Sequence, residues 1–188
     1  MALMATLIGD VVASRQIADR NQLHGRLADV LDRVNERFDP TTPLRFTVGD
    51  EFQGAFATIE SAARATLHLR VGLLPVADLR HGLGWGEVSV LQEDPRVEDG
   101  PGWWAAREAI DSVHAFQLRT ATRWMRTAVR GEGIDRSLSA FLLLRDRAIE
   151  ALDARAVTIL DGLLRDRSQR DIADALGISA SMEPSDRL

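Results

Sequence analysis

Two Gly-Asp pairs each follow a short apolar run, and they constrain the fold of this chain more than any other feature. The first lies in TLIGDVVASR, residues 6–15, and the second in LRFTVGDEFQGAF, residues 44–56. On both sides of Gly49-Asp50, apolar side chains alternate with other side chains, as they do along a β-strand. This pattern predicts a β-hairpin, because its turn needs a positive φ that glycine adopts without strain. The sequence thus places Asp50 at a hairpin tip and Asp10 at the end of an earlier strand.

Three carboxylates in these turns are candidate metal ligands: Asp10, Asp50 and Glu51. Carboxylate oxygens on neighbouring strand ends can bind a hard divalent cation such as Mg²⁺ or Mn²⁺. The alternative is that acidic residues commonly occupy turns, where they accept hydrogen bonds from their own backbone. Two such turns brought side by side favour the metal site. Glu51, next to Asp50, would point to the opposite face of a continuing strand.

The residues just beyond the first strand are candidates for binding a phosphate. Ser14 and Arg15 begin the connection to the next helix, where backbone amides and a guanidinium can bind an anion. A solvated loop arginine explains Arg15 equally well. Gly49, beside Asp50 in the hairpin turn, is grouped with these ligand-binding candidates.

Composition excludes several functional classes. The 188 residues are 45% hydrophobic, enough for one full domain with a buried core. With no cysteine, the chain has no disulfide or thiolate nucleophile and suits a reducing cytoplasm. The absence of lysine excludes the Gly-Lys-Ser/Thr phosphate loop and Schiff-base chemistry. A net charge of −5 disfavours a surface that coats nucleic acid, and we expect neither a leader peptide nor a membrane-spanning segment.

Apolar spacing predicts an α+β chain. Helices are expected over residues 21–38, 58–74, 103–113, 138–152 and 154–165. Strands are expected over residues 3–10, in the two hairpin arms, on both sides of a glycine-rich bend within 78–91, and more weakly over 121–130, with a loop at 92–102. This order predicts a ferredoxin-like βαββαβ palm, followed by a helical C-terminal segment. The expected domains are residues 1–131 and 132–188.

The tail predicts part of a helix-turn-helix. Ser168 could cap a helix whose Ile172 and Ala173 pack inward, and Gly177 could begin the turn. A recognition helix should then start near Ala180, but Pro184 and a scarcity of basic residues oppose it. The motif is therefore interpreted as truncated or degenerate, with DNA only a weakly supported partner.

Several segments resemble known families. The hairpin VGDEF resembles that of diguanylate cyclases and class III nucleotide cyclases, which share a βαββαβ palm. That resemblance implies that Asp10 and Asp50 bind metal, with Glu51 as the neighbouring acid. DGPGWWAAREAI resembles the cyclase helix that carries a transition-state arginine, here Arg107, and it implies a homodimer. Together with GDVVASR and GLGWGEV, these segments are similar to the SatD family, named for secretion and acid tolerance.

Departures from the cyclase pattern limit what the resemblance implies. Trp103 and Trp104 stand where cyclases place an asparagine before the arginine, and the base-reading lysine has no counterpart. Adjacent tryptophans more often pack in a core or a dimer interface than stack on a base. The glycines of GLGWGEV precede a strand-like run, so they do not form a dinucleotide fingerprint; a bulge or a close backbone approach explains them.

Two functional hypotheses follow. In the first, a cytoplasmic palm protein binds a nucleotide or another phosphorylated small molecule through Mg²⁺ or Mn²⁺ at Asp10 and Asp50, as an enzyme or a sensor. As an enzyme, it would use Asp50 and Arg107 as catalytic residues. In the second, the palm is a scaffold for a transcriptional regulator that binds DNA through its tail. The acidic charge and the incomplete recognition helix favour the first.

Overall fold

A computed structural model describes residues 1–178, and its central feature is a six-stranded sheet. The strands are β1 (Ala2–Val11), β2 (Thr42–Phe46), β3 (Phe52–Phe56), β4 (Leu79–Glu93), β5 (Arg96–Asp99) and β6 (Thr127–Gly131). The helices are α1 (Arg20–Phe38), α2 (Ile59–Leu73), α3 (Pro101–Gln117), α4 (Arg136–Glu150), α5 (Ala154–Leu164) and α6 (Gln169–Ala175). The predicted α+β class is confirmed.

The strand order places the ends of β1 and β3 side by side. Neighbours in the path β2-β3-β1-β4 are antiparallel, which is the arrangement of the predicted βαββαβ sandwich. β6 extends the sheet by pairing parallel to the first half of β4, and β5 pairs with its second half. The chain passes from β4 through β5 and α3 to β6, and α3 provides the helical crossover that parallel strands need.

Alternate residues of β1 face two different layers. Leu7 and Val11 belong to the main core, which α1 and α2 complete on one face of the sheet. Ile8 packs with Trp103 and Ile110 of α3 on the other face. Because side chains alternate between the two faces of a strand, Asp10, two residues after Ile8, lies on the α3 face as well.

The expected bend within residues 78–91 is wrong, because Leu79–Glu93 forms one strand. A Cβ atom on Gly82 would overlap the carbonyl oxygen of Ala106, and one on Gly84 would overlap that of Gly102. The glycines thus permit α3 to lie directly against β4. The expected loop at 92–102 is also corrected, since it contains β5 and the first residues of α3.

Helix α4 packs on the palm through buried charges. The fully buried Asp146 accepts hydrogen bonds from the backbone N–H groups of Arg126 and Thr127, at 2.8 and 2.7 Å. Its Oδ1 atom also lies 3.4 Å from Nη1 of Arg70 and 3.2 Å from Nη2 of Arg145. These contacts join α4 to the residues at the start of β6. A division of the chain into two domains near residue 131 stays a prediction.

A short helix, α6, forms where Ser168 was expected to cap one. Ser168 and Asp171 form a capping box at the start of α6, and Ile172 and Ala173 are buried. A recognition helix from Ala180 lies outside the described residues, so the helix-turn-helix stays a prediction. Among the helices of residues 1–178, none is long and apolar enough to cross a membrane.

Candidate functional site

A cavity of about 560 Å³ opens where β1 ends beside the β2–β3 hairpin. Its lining contains five of the predicted site residues: Asp10, Ser14, Arg15, Asp50 and Glu51. The remaining lining residues are Val11, Ala13, Gln16, Val48, Arg80 and His114. We call this cavity the carboxylate pocket. Two predicted residues lie beside it: Gly49 lines a smaller adjacent cavity with Asp50, and Arg107 contacts Glu51.

Strand pairing brings the two aspartates together. Gly9 pairs with Phe52 in the antiparallel β1–β3 ladder, so the residues that follow Gly9 meet those that precede Phe52. The backbone N–H of Val11 donates to Oδ2 of Asp50 at 3.2 Å. A Cβ on Gly9 would overlap the Phe52 ring, which lies over the strand at this point. The first Gly-Asp pair thus needs its glycine for packing, while Gly49 adopts a positive φ of 67° in the hairpin.

Both carboxylate oxygens of Asp10 have partners. Oδ1 accepts from Nε of Arg80 at 2.6 Å, and Oδ2 lies 3.0 Å from Nε2 of His114. Nη1 of Arg80 also lies 3.0 Å from Nδ1 of His114. Because a guanidinium can only donate, Nδ1 accepts and the imidazole proton resides on Nε2, which donates to Asp10. The three side chains thus form one continuous hydrogen-bonded network.

Arg80 is the main site residue that the sequence did not identify. It is the direct partner of Asp10 in the antiparallel β1–β4 ladder. Nη2 of Arg80 also donates to the backbone carbonyl oxygen of Val11 at 3.4 Å, and Nη1 donates to Gln117 at 3.2 Å. The predicted strand order makes β1 and β4 neighbours, but finding this pair from the sequence would require the register as well.

Glu51 forms a bidentate ion pair with Arg107. Nη1 and Nη2 of Arg107 donate to the two carboxylate oxygens of Glu51 at 2.9 and 2.8 Å. The hydrogen bond that Arg107 donates to the Glu51 carboxylate raises the pKa of Arg107. Arg107 and His114 are seven residues apart, so they lie on the same face of α3. This spacing is the sequence signal that could have identified His114 as a site residue.

The oxygen atoms of the carboxylate pocket are of the type that binds a hard divalent cation, although Asp10 and Glu51 also have cationic partners. Within residues 1–178, no three aspartate, glutamate or histidine side chains converge as a ready metal site. Asp10 and Asp50 nevertheless line one cavity, and the Val11 carbonyl oxygen accepts from Arg80, which lines the same cavity. Oxygen atoms of this kind are the ligands that Mg²⁺ prefers. The Arg80 guanidinium, itself a cation, already contacts two of these donor groups, Asp10 and the Val11 carbonyl.

A second cavity, also about 560 Å³, lies on the other side of the Glu51–Arg107 pair. Its lining includes Trp103, Trp104 and Arg107. Trp103 packs in the core between α3 and the sheet, whereas Trp104 is 62% exposed. The two adjacent tryptophans therefore have different environments, and Trp104 is the one available to a partner or a ligand.

The family model of the SatD family matches residues 4–185, and the chain belongs to this family. The resemblance found in its motifs is thereby confirmed. No curated protein matches the sequence.

Solved nucleotide cyclases share the fold at low sequence identity. A bacterial light-regulated adenylyl cyclase has a TM-score of 0.53 and 14% identity, over 68% of this chain but only 43% of the cyclase chain. A second structure described as a bacterial light-regulated adenylyl cyclase has a TM-score of 0.51 and 14% identity, over 68% and 75% of the two chains. The guanylate cyclase domain from Catenaria anguillulae, in complex with GTP, has a TM-score of 0.46 and 14% identity, over 59% and 73%. The likeness to the adenylyl cyclases establishes a cyclase-like fold.

Proposed function

We propose that this SatD-family protein binds a nucleotide or another polyphosphate ligand together with Mg²⁺ or Mn²⁺ in the carboxylate pocket. The observation that carries this proposal is the meeting of Asp10 and Asp50 at one cavity, joined through Val11. The cyclase-like fold supports it, because the same two positions correspond to metal-binding residues in the families that the hairpin resembles.

Cation ligands would come from the carboxylates of Asp10 and Asp50 and the backbone carbonyl of Val11. Glu51 is a further candidate, provided that its carboxylate leaves Arg107. A divalent cation bound here would neutralise phosphate charge and orient the phosphate groups. The arrangement suits this role because both aspartates line the pocket.

Phosphate ligands would come from other residues that line the pocket. Ser14 and Arg15 belong to a short 3₁₀ turn that follows β1, and Arg80 lies on β4 beside Asp10. Guanidinium groups bind phosphate oxygens through paired N–H donors, which a chain without lysine must use. Gly49, whose Cβ position is open, would allow a ligand to approach the hairpin backbone.

Arg107 is proposed to assist phosphate chemistry from α3. Its side chain is 47% exposed, and it lies between the carboxylate pocket and the tryptophan-lined cavity. In a homodimer of the cyclase type, this helix would face a site shared with a second copy. Asp50 and Arg107 are the residues on which turnover would depend, if the bound ligand is transformed.

Calorimetric titration with ATP, GTP, CTP and UTP, each with and without Mg²⁺, tests the proposal. We expect at least one triphosphate to bind only in the presence of Mg²⁺. The matched protein control is Arg165→Gln, which removes an arginine that pairs with Asp161 on the distant helix α5. No binding of any triphosphate, with Mg²⁺ present, would refute the proposed function.

A further inference from the structure

The guanidinium of Arg80 contacts the same atoms that the proposed cation would use. Nε donates to Oδ1 of Asp10 at 2.6 Å, and Nη2 donates to the carbonyl oxygen of Val11 at 3.4 Å. The Arg80 side chain is 15% exposed and that of Asp10 is 18% exposed, so water screens their attraction only partly. The positive charge at these oxygens is therefore supplied by the chain itself.

Other carboxylate oxygens of Asp10 and Glu51 are engaged in a similar way. Oδ2 of Asp10 accepts from His114, and both oxygens of Glu51 accept from Arg107. Each of these donors belongs to α3. A divalent cation could therefore bind here only if some of these hydrogen bonds were exchanged for metal contacts.

Side-chain rotation is the movement available for that exchange. Helix α3 lies so close to β4 that a Cβ on Gly82, Gly84 or Gly86 would overlap its backbone. The helix and the strand are thus packed backbone against backbone, and a shift of one against the other would disturb this contact. Arg80, by contrast, has a long side chain whose guanidinium could turn into the cavity that it already lines.

We infer that Arg80 is an internal counter-cation, which a divalent metal displaces from Asp10 and which then binds a phosphate group of the incoming ligand. This inference rests on the proposed function of the carboxylate pocket. It makes the metal and the polyphosphate bind with positive coupling. A metal alone leaves the Arg80 guanidinium unpaired beside a second cation, and a polyphosphate alone must compete with Asp10 for Arg80.

The inference gives Arg80 opposite effects on the two ligands. Replacing it with glutamine removes the competing positive charge, so binding of metal alone should become about tenfold tighter. The same change removes a charged donor to phosphate, so the polyphosphate should bind about tenfold more weakly in the presence of metal. A variant that is merely destabilised would not bind metal more tightly, because ligand affinity falls with the fraction of competent protein.

The experiment compares wild type, Arg80→Gln and the Arg165→Gln control in titrations with Mn²⁺ alone, inorganic tripolyphosphate alone, and tripolyphosphate with Mn²⁺. In wild type, each ligand should increase the affinity for the other by about tenfold or more, and by the same factor in both directions. Arg80→Gln should bind Mn²⁺ alone more tightly and should lose most of this coupling. Arg165→Gln should behave as wild type.

A measurement on wild type covers the case in which Arg80→Gln fails to fold. Addition of Mg²⁺ with tripolyphosphate should shift the Nε–H NMR resonance of Arg80 and leave that of Arg165 unchanged. An unshifted Arg80 resonance, or Mn²⁺ affinity that is equal or weaker in Arg80→Gln, would overturn the inference while metal and polyphosphate still bind. Absence of all metal and polyphosphate binding by wild type would instead refute the proposed function.

Discussion

The Oδ2 atom of Asp50 accepts a hydrogen bond from the backbone N–H of Val11, the residue directly after Asp10, at 3.2 Å. This bond joins the hairpin tip to the end of β1, and it fixes the position of the Asp50 carboxylate relative to the neighbouring strand. An asparagine at this position could still accept the bond through its side-chain oxygen, but it would lack the negative charge.

Asp50→Asn should therefore separate metal binding from folding. We expect Mg²⁺ or Mn²⁺ to raise the melting temperature of the wild type, because a ligand that binds only the folded state stabilises it by mass action. The variant should melt near the wild-type temperature without metal and should show no metal-dependent rise. Thermal unfolding followed by circular dichroism, with and without Mg²⁺, measures both. A metal response in Asp50→Asn equal to that of the wild type would contradict the assignment of this ligand.

Asp146→Ala should destabilise the fold strongly. Asp146 is fully buried, and its removal would leave two backbone N–H groups and the partly compensated charges of Arg70 and Arg145 without their acceptor. Breaking such a buried network costs about 3–5 kcal/mol. Urea unfolding should show this loss, whereas Asp161→Ala, which breaks an exposed pair within α5, should cost less than about 1 kcal/mol. Similar losses in the two variants would refute the structural role of Asp146.

The sequence predicted the order of strands because apolar periodicity and turn residues are local signals. Asp10 and Asp50 could be placed together since each follows an apolar run at a strand end, and the βαββαβ order makes those strands neighbours. The bend assigned to residues 78–91 was wrong because glycine usually weakens a strand. Here Gly82 and Gly84 instead allow a helix backbone to approach β4.

The partners of the site residues could not be predicted from local patterns. Arg80 reaches Asp10 across the sheet, 70 residues away in sequence, and the pairing depends on the exact register. The buried arginines gave no signal either, since Arg70 and Arg145 resemble solvated helix residues until their partners in other elements are known. Both arginines contact Asp146 of α4, and these buried contacts join α4 to the palm.

Gly84→Ala should disturb the contact between α3 and β4. The added Cβ would overlap the carbonyl oxygen of Gly102, and it would lie 2.7 Å from the Thr6 hydroxyl oxygen. Overpacking of this kind costs about 1–3 kcal/mol or more. Gly25→Ala is the matched control, because Gly25 lies in α1 with open space around its Cβ position, and alanine there should stabilise by up to about 1 kcal/mol. Urea unfolding of both variants measures these opposite shifts, and a neutral Gly84→Ala would contradict the close packing.

Trp104→Ala should weaken self-association if the expected homodimer forms through α3. Trp104 is 62% exposed, and its Nε1–H donates to Asp99 at 2.9 Å. Exposed tryptophans are frequent anchors of protein interfaces. Analytical ultracentrifugation should show a dimer whose dissociation constant rises about tenfold or more in the variant, with unchanged circular dichroism.

Arg107→Ala should leave the dimer intact and weaken triphosphate binding. A wild type that stays monomeric would refute the dimer.

His81→Leu should reduce the loss of stability on acidification. The His81 ring is completely buried on the α2 face of the sheet, neither nitrogen has a hydrogen-bond partner among the described residues, and Arg145 and Arg70 lie nearby. Burial, followed by these two positive charges, lowers the pKa of His81 well below its usual value near 6.5. As pH falls below about 6.5, the unfolded chain therefore takes up a proton at this histidine that the folded chain does not. The free energy of unfolding then falls by up to about 1.4 kcal/mol per pH unit, until the lowered pKa is reached.

Urea unfolding across this pH range should show a smaller loss of stability in His81→Leu than in wild type, while His24→Gln, at an exposed position of α1, should follow the wild type. Parallel pH profiles for wild type and His81→Leu would show that His81 does not contribute to acid sensitivity.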